Sequence, residues 1–281
     1  MSAIRFVHIT DLHVSAPEPA DPGLASDTTE TLRCVRGLIE AMDPAPAFVI
    51  ASGDLTNRGD AASFRTLHGL MDGFGVPVIW ALGNHDSRAG FRAVFGGDAA
   101  DPEAPLDHEA VMAGVHIITL DTSRKGRIGG DLDAAQFDFL DAALGRHADL
   151  PKLLVIHHAP ALDRAAEWEW EGLSFAATDR LAAMLPGRGV QGIFSGHIHM
   201  DRFTHWHGIP VVVGMGLHNA LDPLYAGPGI RAVRGASLSV CTLRASGLTV
   251  TCAPLPSDRA ELRIVTLEQL AAYEAAMAAA E

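Results

Sequence analysis

Residues 4–13 read IRFVHITDLH, an apolar stretch typical of a buried β-strand that ends directly in Asp11 and His13. Four later apolar stretches end in the same way, each followed at once by residue types that can ligate metals. They are Gly53-Asp54, Gly83-Asn84-His85-Asp86, His157-His158 and Gly196-His197-Ile198-His199. Ligands of open α/β sheets bind beyond the carboxyl ends of the strands, so we expect these side chains to converge in space.

Between these strands lie stretches with the helical spacing of apolar residues, which predicts βα units packed around buried strands. Thr28 to Met42 is the first such helix, and Asp60 is the predicted cap of the second. Past Gly208 the pattern changes to short strands joined by Gly and Pro turns, which predicts a second, more antiparallel sheet. Its predicted strands are Pro210–Val213, Ser237–Leu243 and Leu248–Cys252.

The chain has 281 residues, with 21 Lys and Arg against 34 Asp and Glu, and a formal net charge of −13. This balance argues against a nucleic-acid polymer as partner, because binding to the phosphate backbone needs a basic face. An anionic substrate would need a concentrated positive charge such as a metal ion. No leader pattern and no apolar run of membrane length is present, so we expect a cytoplasmic protein without membrane contact.

The candidate ligands supply carboxylate, imidazole and amide oxygen but no thiolate, a set that suits first-row ions. Two ions about 3.5 to 4 Å apart that share one carboxylate would use all of these ligands and leave positions for water and substrate. We therefore expect a dinuclear centre with Mn, Fe or Zn, and Co or Ni as substitutes in vitro. The glycines before Asp54, Asn84 and His197 predict tight turns that aim the next side chain inward.

Taken in order, these motifs resemble the signature DxH, GD, GNH[DE], H and GHxH of the calcineurin-like metallophosphoesterase superfamily. They occur here as DLH (11–13), GDLTNRGD (53–60), GNHD (83–86), HHAP (157–160) and GHIH (196–199). The resemblance implies an α/β fold, a four-layer α/β/β/α sandwich of two mixed β-sheets flanked by helices. The block around residues 120–140 resembles the group of class III cyclic-nucleotide phosphodiesterases and glycerophosphodiesterases.

The resemblance also assigns roles to the matching positions. One metal ion would be bound by Asp11, His13, Asp54 and His199. The other would be bound by Asp54, Asn84, His157 and His197, with Asp54 bridging the two. A hydroxide between the ions would attack phosphorus in line, and His85 would face the substrate as the catalytic group that assists the leaving oxygen.

Further residues are candidates for supporting roles. His218, Asn57 and Arg58 are candidate substrate contacts, and Arg88 is a candidate phosphate or helix-cap contact. Asp86 is expected to orient a neighbouring imidazole. His158 is expected to point away from His157 on an extended chain and to pack in the core or against a metal ligand. Trp168 and Trp170 lie in a segment that would serve either as a lid or as a solvated loop.

The expected function is metal-dependent hydrolysis of small phosphodiesters such as 3′,5′-cyclic nucleotides or glycerophosphodiesters. A phosphomonoesterase, or a broad phosphoester or phosphonate hydrolase, on the same centre is the alternative, and a non-catalytic scaffold is a third. Residues 1–258 would form the catalytic domain. Residues 259–281 would form a strand and helix extension that docks on the core or on a partner subunit of a homo-oligomer.

Overall fold

The computed structural model describes residues 3–97, 101–164 and 171–279. Strands and helices are numbered in chain order, and the first large sheet has five strands. Three neighbouring strands run parallel, and two antiparallel strands extend one side. In spatial order they are β13 (Gly247–Pro254), β12 (Ser237–Arg244), β1 (Ile4–Ile9), β2 (Val49–Ser52) and β3 (Val78–Ala81).

The second large sheet has six strands with a parallel centre and an antiparallel strand at each edge. In spatial order they are β4 (His108–Met112), β5 (Val115–Leu120), β6 (Lys152–Ile156), β7 (Val190–Ser195), β9 (Ile209–Val213) and β8 (Arg202–Trp206). A small antiparallel sheet contains three strands. These are β10 (Ala220–Leu221), β11 (Ile230–Val233) and β14 (Glu261–Val265).

Helices cover the outer face of each large sheet. Three pack on the first sheet, namely α1 (Thr28–Glu40), α2 (Ala61–Met71) and α3 (Arg88–Phe95). Two pack on the second sheet, namely α4 (Ala134–Gly145) and α5 (Phe175–Met184). The predicted four-layer α/β/β/α sandwich is therefore confirmed. The last helix, α6 (Leu267–Ala279), buries Leu270 and leaves Tyr273 half exposed.

Each of the first five helices begins at a polar side chain that accepts a backbone N–H of its first turn. Asp60 caps α2 in this way, as the sequence predicts, and Asp133 forms a reciprocal capping box with Gln136 at the start of α4. The caps of the other three are Asp27, Ser87 and Ser174. Helix starts are therefore encoded locally, while apolar spacing decides which face of each helix packs on its sheet.

An apolar core fills the space between the two large sheets. Phe6 of β1 stacks on Phe48 with ring centroids 4.9 Å apart and meets Phe194 of β7 edge-to-face at 5.4 Å. All three rings are completely buried. Because this core holds the sheets face to face, the carboxyl ends of their parallel strands meet along one edge of the sandwich.

The prediction of a separate antiparallel sheet past Gly208 was wrong. β9 joins the second sheet parallel to β7, whereas β12 and β13 extend the first sheet beside β1. Local strand patterns do not encode these partners, because the pairing connects segments that are distant in the chain. The sequence pattern also missed α3, β4, β10 and β11, whereas β14 and α6 lie in the predicted strand and helix extension.

No helix within the described ranges is long and apolar enough to cross a membrane.

Replacing Phe6 with Ala should lower the free energy of unfolding by about 3 to 5 kcal/mol, because it opens a cavity between the two sheets. Phe203 on the edge strand β8 is 63% exposed. Phe203→Ala is the matched control and should change stability by less than about 0.5 kcal/mol. Urea unfolding followed by circular dichroism measures both, and equal effects would contradict the assignment of the inter-sheet core.

Candidate metal centre

The first cluster of predicted ligands gathers where β1, β2 and β7 end. The Nε2 atoms of His13 and His199 lie 3.3 Å apart. His13 Nε2 is 3.6 Å from a carboxylate oxygen of Asp54, and His199 Nε2 is 3.4 Å from one of Asp11. Four side chains from both sheets thus present their donor atoms to a common point.

The second cluster lies beside the first and shares Asp54 with it. His157, directly after β6, places its Nε2 3.3 Å from a carboxylate oxygen of Asp54. Asn84 Oδ1 and His197 Nδ1 are 2.9 Å apart. The seven residues that the sequence motifs select are therefore brought together, although they come from five strand ends. Their assignment as ligands stays a prediction.

The backbone at most of these residues adopts an uncommon conformation. Five of the predicted ligands have positive φ angles between 44° and 76°, in the left-handed region that L-residues rarely adopt. They are Asp11, His13, Asp54, His197 and His199. Strained backbone of this kind clusters at functional sites, where the surrounding structure holds it in place at a cost of about 1 to 3 kcal/mol per residue.

Glycines beside the ligands serve two different purposes. Gly53 has a φ of +109°, so it supplies the turn that the sequence predicts before Asp54. Gly83 and Gly196 have no such φ but are packed too tightly for a side chain. An added Cβ would lie 2.2 Å from Asp54 Oδ1 at position 83 and 2.3 Å from Asp11 Oδ2 at position 196. The predicted reason, a tight turn, therefore holds for Gly53. Gly83 and Gly196 are needed because a carboxylate lies too close to leave room for a side chain.

Burial and mutual attraction set the charges in the centre. Burial alone would raise the pKa of Asp54, but the imidazoles of His157, His85 and His13 hold it well below its ordinary value. Burial likewise opposes protonation of His157, yet the Asp54 carboxylate raises the pKa of that imidazole to about 9. The ionised Asp54 carboxylate thus draws positive charge to a place where almost no water can screen it.

The arrangement fits bound metal ions. The buried Nε2 of His157 points at the shared carboxylate and makes no hydrogen bond to any described residue. It thus faces the Asp54 charge without forming a hydrogen bond, and a buried imidazole nitrogen in that state is costly unless a ligand completes it. Its other ring nitrogen, Nδ1, donates to the Ser52 carbonyl at 2.9 Å, which fixes the ring with Nε2 as the available donor.

His85 lies at the rim of the centre. Its backbone N–H donates to Asp54 Oδ1 at 2.8 Å, and its ring Nδ1 donates to the Asn57 carbonyl at 3.0 Å. The ring meets His13 edge-on with centroids 4.7 Å apart. This orientation leaves Nε2 of the partly exposed ring for a group bound above the predicted ligands.

Asn57 and Arg58 contact protein groups. Asn57 Oδ1 accepts from Nδ1 of His13 at 2.8 Å, and its Nδ2 donates to Asp21 at 2.9 Å, so Asn57 orients an expected ligand. Arg58 donates to the carbonyl groups of Ala16 and Pro19 and thereby fastens their loop. Their expected contacts with substrate stay predictions.

His218 and His158 both pack against the predicted ligands. The His218 ring lies 4.7 Å from that of His13, and its Nε2 accepts the Ala25 N–H at 3.1 Å. Burial lowers the pKa of His218 to about 3, assisted by the nearby imidazoles and Arg263. The His158 ring lies 4.9 Å from that of His157 and 4.4 Å from that of His197, which differs from the expectation that it points away from His157. Strand alternation does not apply there, because β6 ends at Ile156.

Asp86 also differs from expectation. Its carboxylate accepts backbone N–H groups of Gly83, Leu55 and Thr56 at 2.9 to 3.0 Å, so it clamps two loops together and does not bond an imidazole of the described residues. Burial and the neighbouring Asp54 charge raise the pKa of Asp86 to about 7.

The segment after β9, which carries the predicted contact His218, closes one side of the centre through backbone bonds that sequence reasoning missed. The Leu217 N–H donates to the Asp11 carbonyl at 3.1 Å, and the Leu221 N–H donates to the His199 carbonyl at 2.9 Å. These are backbone bonds, so no residue type signals them. Trp168 and Trp170, considered above as a lid, lie outside the described residues.

The profile of the calcineurin-like phosphoesterase family matches residues 4–201, a range that contains all seven predicted ligands and His85. The chain belongs to this family.

Named relatives and solved structures agree with this membership. The chain is 32% identical over 237 residues to a cAMP/cGMP dual specificity phosphodiesterase of Mycobacterium tuberculosis, a match that covers 82% of this chain and 72% of the relative. It is 35% identical over 216 residues to a probable cyclic nucleotide phosphodiesterase of Rhodococcus erythropolis, covering 74% of this chain and 68% of that one.

Among solved structures, a dimetal phosphatase from Danio rerio superposes with a TM-score of 0.62 at 14% identity. The match covers 91% of this chain and 99% of that protein, and it shows a shared fold. Membership in the calcineurin-like phosphoesterase family makes the chain a phosphoesterase that uses metal ions, and its His and Asp clusters are in place to bind them.

Gly83→Ala should weaken metal binding by at least about tenfold, because the new Cβ displaces the shared Asp54 carboxylate. Gly69 in α2 has open space around it, so Gly69→Ala is the matched control and should bind metal like the wild type. Titration of metal-stripped protein with Mn²⁺ by calorimetry measures both affinities. Equal affinities would contradict the placement of Asp54 at the centre.

Proposed function

We propose that this protein is a metal-dependent phosphodiesterase that hydrolyses small phosphodiesters, with 3′,5′-cyclic nucleotides as the first candidate substrates and glycerophosphodiesters as the second. The observation that carries the proposal is the pair of donor clusters sharing Asp54, with His85 at their rim. The cyclic-nucleotide phosphodiesterase names of the relatives support the substrate class.

Two ions are proposed to occupy the centre. The first would be held by Asp11, His13, Asp54 and His199, and the second by Asp54, Asn84, His157 and His197. Mn, Fe or Zn suit these oxygen and imidazole donors, and Co or Ni would substitute in vitro. When bound, such ions neutralise phosphate oxygens and activate water for in-line attack on phosphorus.

The protein's own groups position the reaction. His13 and His157 keep fixed ring orientations through the Asn57 side chain and the Ser52 carbonyl. His85 directs Nε2 toward the substrate, where it can donate to the leaving oxygen as negative charge develops there. His218 and Asn57 line the same region, and we keep them, with Arg58, as proposed substrate contacts.

A diester is preferred over a monoester as substrate because little fixed positive charge surrounds the centre. Arg88 donates to the Asp121 carboxylate, and Arg58, the one arginine among the proposed substrate contacts, already donates to the carbonyl groups of Ala16 and Pro19. A monoester dianion would need more compensating charge than a diester monoanion. The proposed substrate is therefore a small, singly charged diester.

The division at residue 258 stays a prediction. Beyond it, β14 completes the small sheet beside β11, and α6 adds a partly exposed apolar side that a second copy of the chain could cover. We also propose a cytoplasmic location and a homo-oligomer, and both stay predictions.

Metal-stripped protein should regain hydrolysis of bis(4-nitrophenyl) phosphate when Mn²⁺ is added, and should turn over this diester faster than 4-nitrophenyl phosphate. Steady-state rates on both, and on 3′,5′-cyclic AMP and glycerophosphocholine, test the substrate class. Faster monoester turnover would move the function to a phosphatase. No turnover with Mn²⁺, Fe²⁺ or Zn²⁺ would contradict an enzymatic role.

Asp54→Ala should abolish nearly all diester turnover, because it removes the carboxylate common to both clusters. Asp138 of α4 is a highly exposed carboxylate on the outer layer, so Asp138→Ala is the matched control and should keep wild-type turnover. The same rate assay compares the two variants. Substantial activity of Asp54→Ala would refute the shared-ligand arrangement.

A further inference from the structure

Arg88 is the first residue of α3 and comes three residues after His85. Each of its three guanidinium nitrogens donates one hydrogen bond to a protein group. Nε donates to Asp121 Oδ2 at 2.7 Å, Nη1 to the Glu103 carbonyl at 2.8 Å and Nη2 to the Ser123 carbonyl at 2.9 Å. The cap of α3 is Ser87 and not Arg88, and the recorded bonds of Arg88 go to protein groups, while its phosphate contact stays a prediction.

Two of the three acceptors follow β5 of the second sheet, and the third lies in the loop that leads to β4. Asp121 directly follows β5 and is completely buried, and Ser123 and Glu103 lie in loops on either side of β4 and β5. The anchor itself is rigid, because the Asp121 carboxylate also accepts the N–H groups of Leu106 and Ser123. Arg88 thus ties the start of α3, which packs on the first sheet, to the end of a strand in the second.

The segment between Arg88 and His85 is short and tightly packed. Gly59 approaches it so closely that an added Cβ would lie 2.8 Å from both the His85 carbonyl oxygen and the Ser87 nitrogen. The other end of the segment is fixed by the His85 N–H bond to Asp54. The backbone between the two anchored residues is thus packed against Gly59, and a displacement of Arg88 would be passed along it toward His85.

We infer that Arg88 is a positioning residue for His85, and that its bond to Asp121 across the two sheets sets where the His85 ring stands above the metal centre. This inference rests on the proposed phosphodiesterase function, in which His85 assists the leaving group. Displacement by a fraction of an ångström matters for such a group, because proton donation requires hydrogen-bond distance.

The chain contains a built-in control for this inference. Arg92 lies one turn further along α3 and donates to the carbonyl groups of Pro102 and Ala104, in the loop that also receives one bond from Arg88. It has no bond to Asp121 in the described structure. Arg92→Met therefore removes a comparable anchor of the same helix without touching the bond between the sheets.

The test is a double-mutant cycle on two diesters that differ only in leaving group, methyl 4-nitrophenyl phosphate and methyl phenyl phosphate. Arg88→Met should lower kcat roughly 10- to 100-fold for the poorer phenolate leaving group, less for 4-nitrophenolate, and change KM little. In the His85→Ala background, Arg88→Met should cost less than about twofold further. Arg92→Met should stay within about twofold of the wild type.

Equal losses on both substrates, additive losses in the cycle, or an equal effect of Arg92→Met would overturn the inference. Arg88→Met leaves the Asp121 charge unpaired, so Arg88→Lys is the second variant. Lysine keeps a positive charge near Asp121 but cannot donate to the carbonyl groups of Glu103 and Ser123 at the same time. Arg88→Lys should therefore show the same dependence on the leaving group with a smaller loss of kcat.

A readout independent of turnover separates this inference from the function. In NMR spectra of the metal-free protein, the His85 ring signals, identified by their loss in His85→Ala, should shift in Arg88→Met and stay in place in Arg92→Met. Unchanged His85 signals in Arg88→Met would overturn the positioning role. If the wild type hydrolyses neither diester with any metal, the proposed function fails, while the NMR comparison still decides the coupling of Arg88 to His85.

Discussion

The carboxylate of Asp54 is almost completely removed from water and faces imidazoles that come from both large sheets. A buried charge of this kind is tolerated only when opposite charge and hydrogen bonds surround it, so its neighbours are constrained in turn. Gly53 turns the chain to place it, Gly83 makes room for it, and His157 approaches it from the opposite sheet. The positions of the residues around the centre are largely those needed to keep the Asp54 carboxylate ionised.

The aromatic contact between Phe6 and Phe194 holds the two sheets at the separation that this geometry requires. Because the sheets meet face to face, strand ends on opposite sides of the core bring their side chains within bonding distance. The left-handed backbone at Asp11, Asp54 and His197 is then maintained by contacts that no single loop could provide. The strained backbone at the metal centre therefore depends on the apolar packing between the two sheets.

Much of this could be predicted from the sequence, because the decisive signals are local. Apolar spacing and caps such as Asp60 predict the βα units, and the motifs predict which side chains converge. Sheet membership could not be predicted, since the pairing of β1 with β12 depends on contacts between distant parts of the chain. The start of α3 was missed although Ser87 and Phe91 supplied a cap and apolar spacing. The backbone bonds of Leu217 and Leu221 leave no trace in residue type.

Those backbone bonds also separate the attachment of this segment from the identity of its side chains. Leu217 and Leu221 attach the rim of the centre through main-chain N–H groups, which any residue other than proline provides. They lie beyond residue 201, where the match to the family profile ends. Substitutions at Leu217 and Leu221 can therefore change the side chains of this rim while their main-chain hydrogen bonds remain. Substrate selectivity can thus change through side chains of this segment while the backbone bonds to Asp11 and His199 keep the metal centre in place.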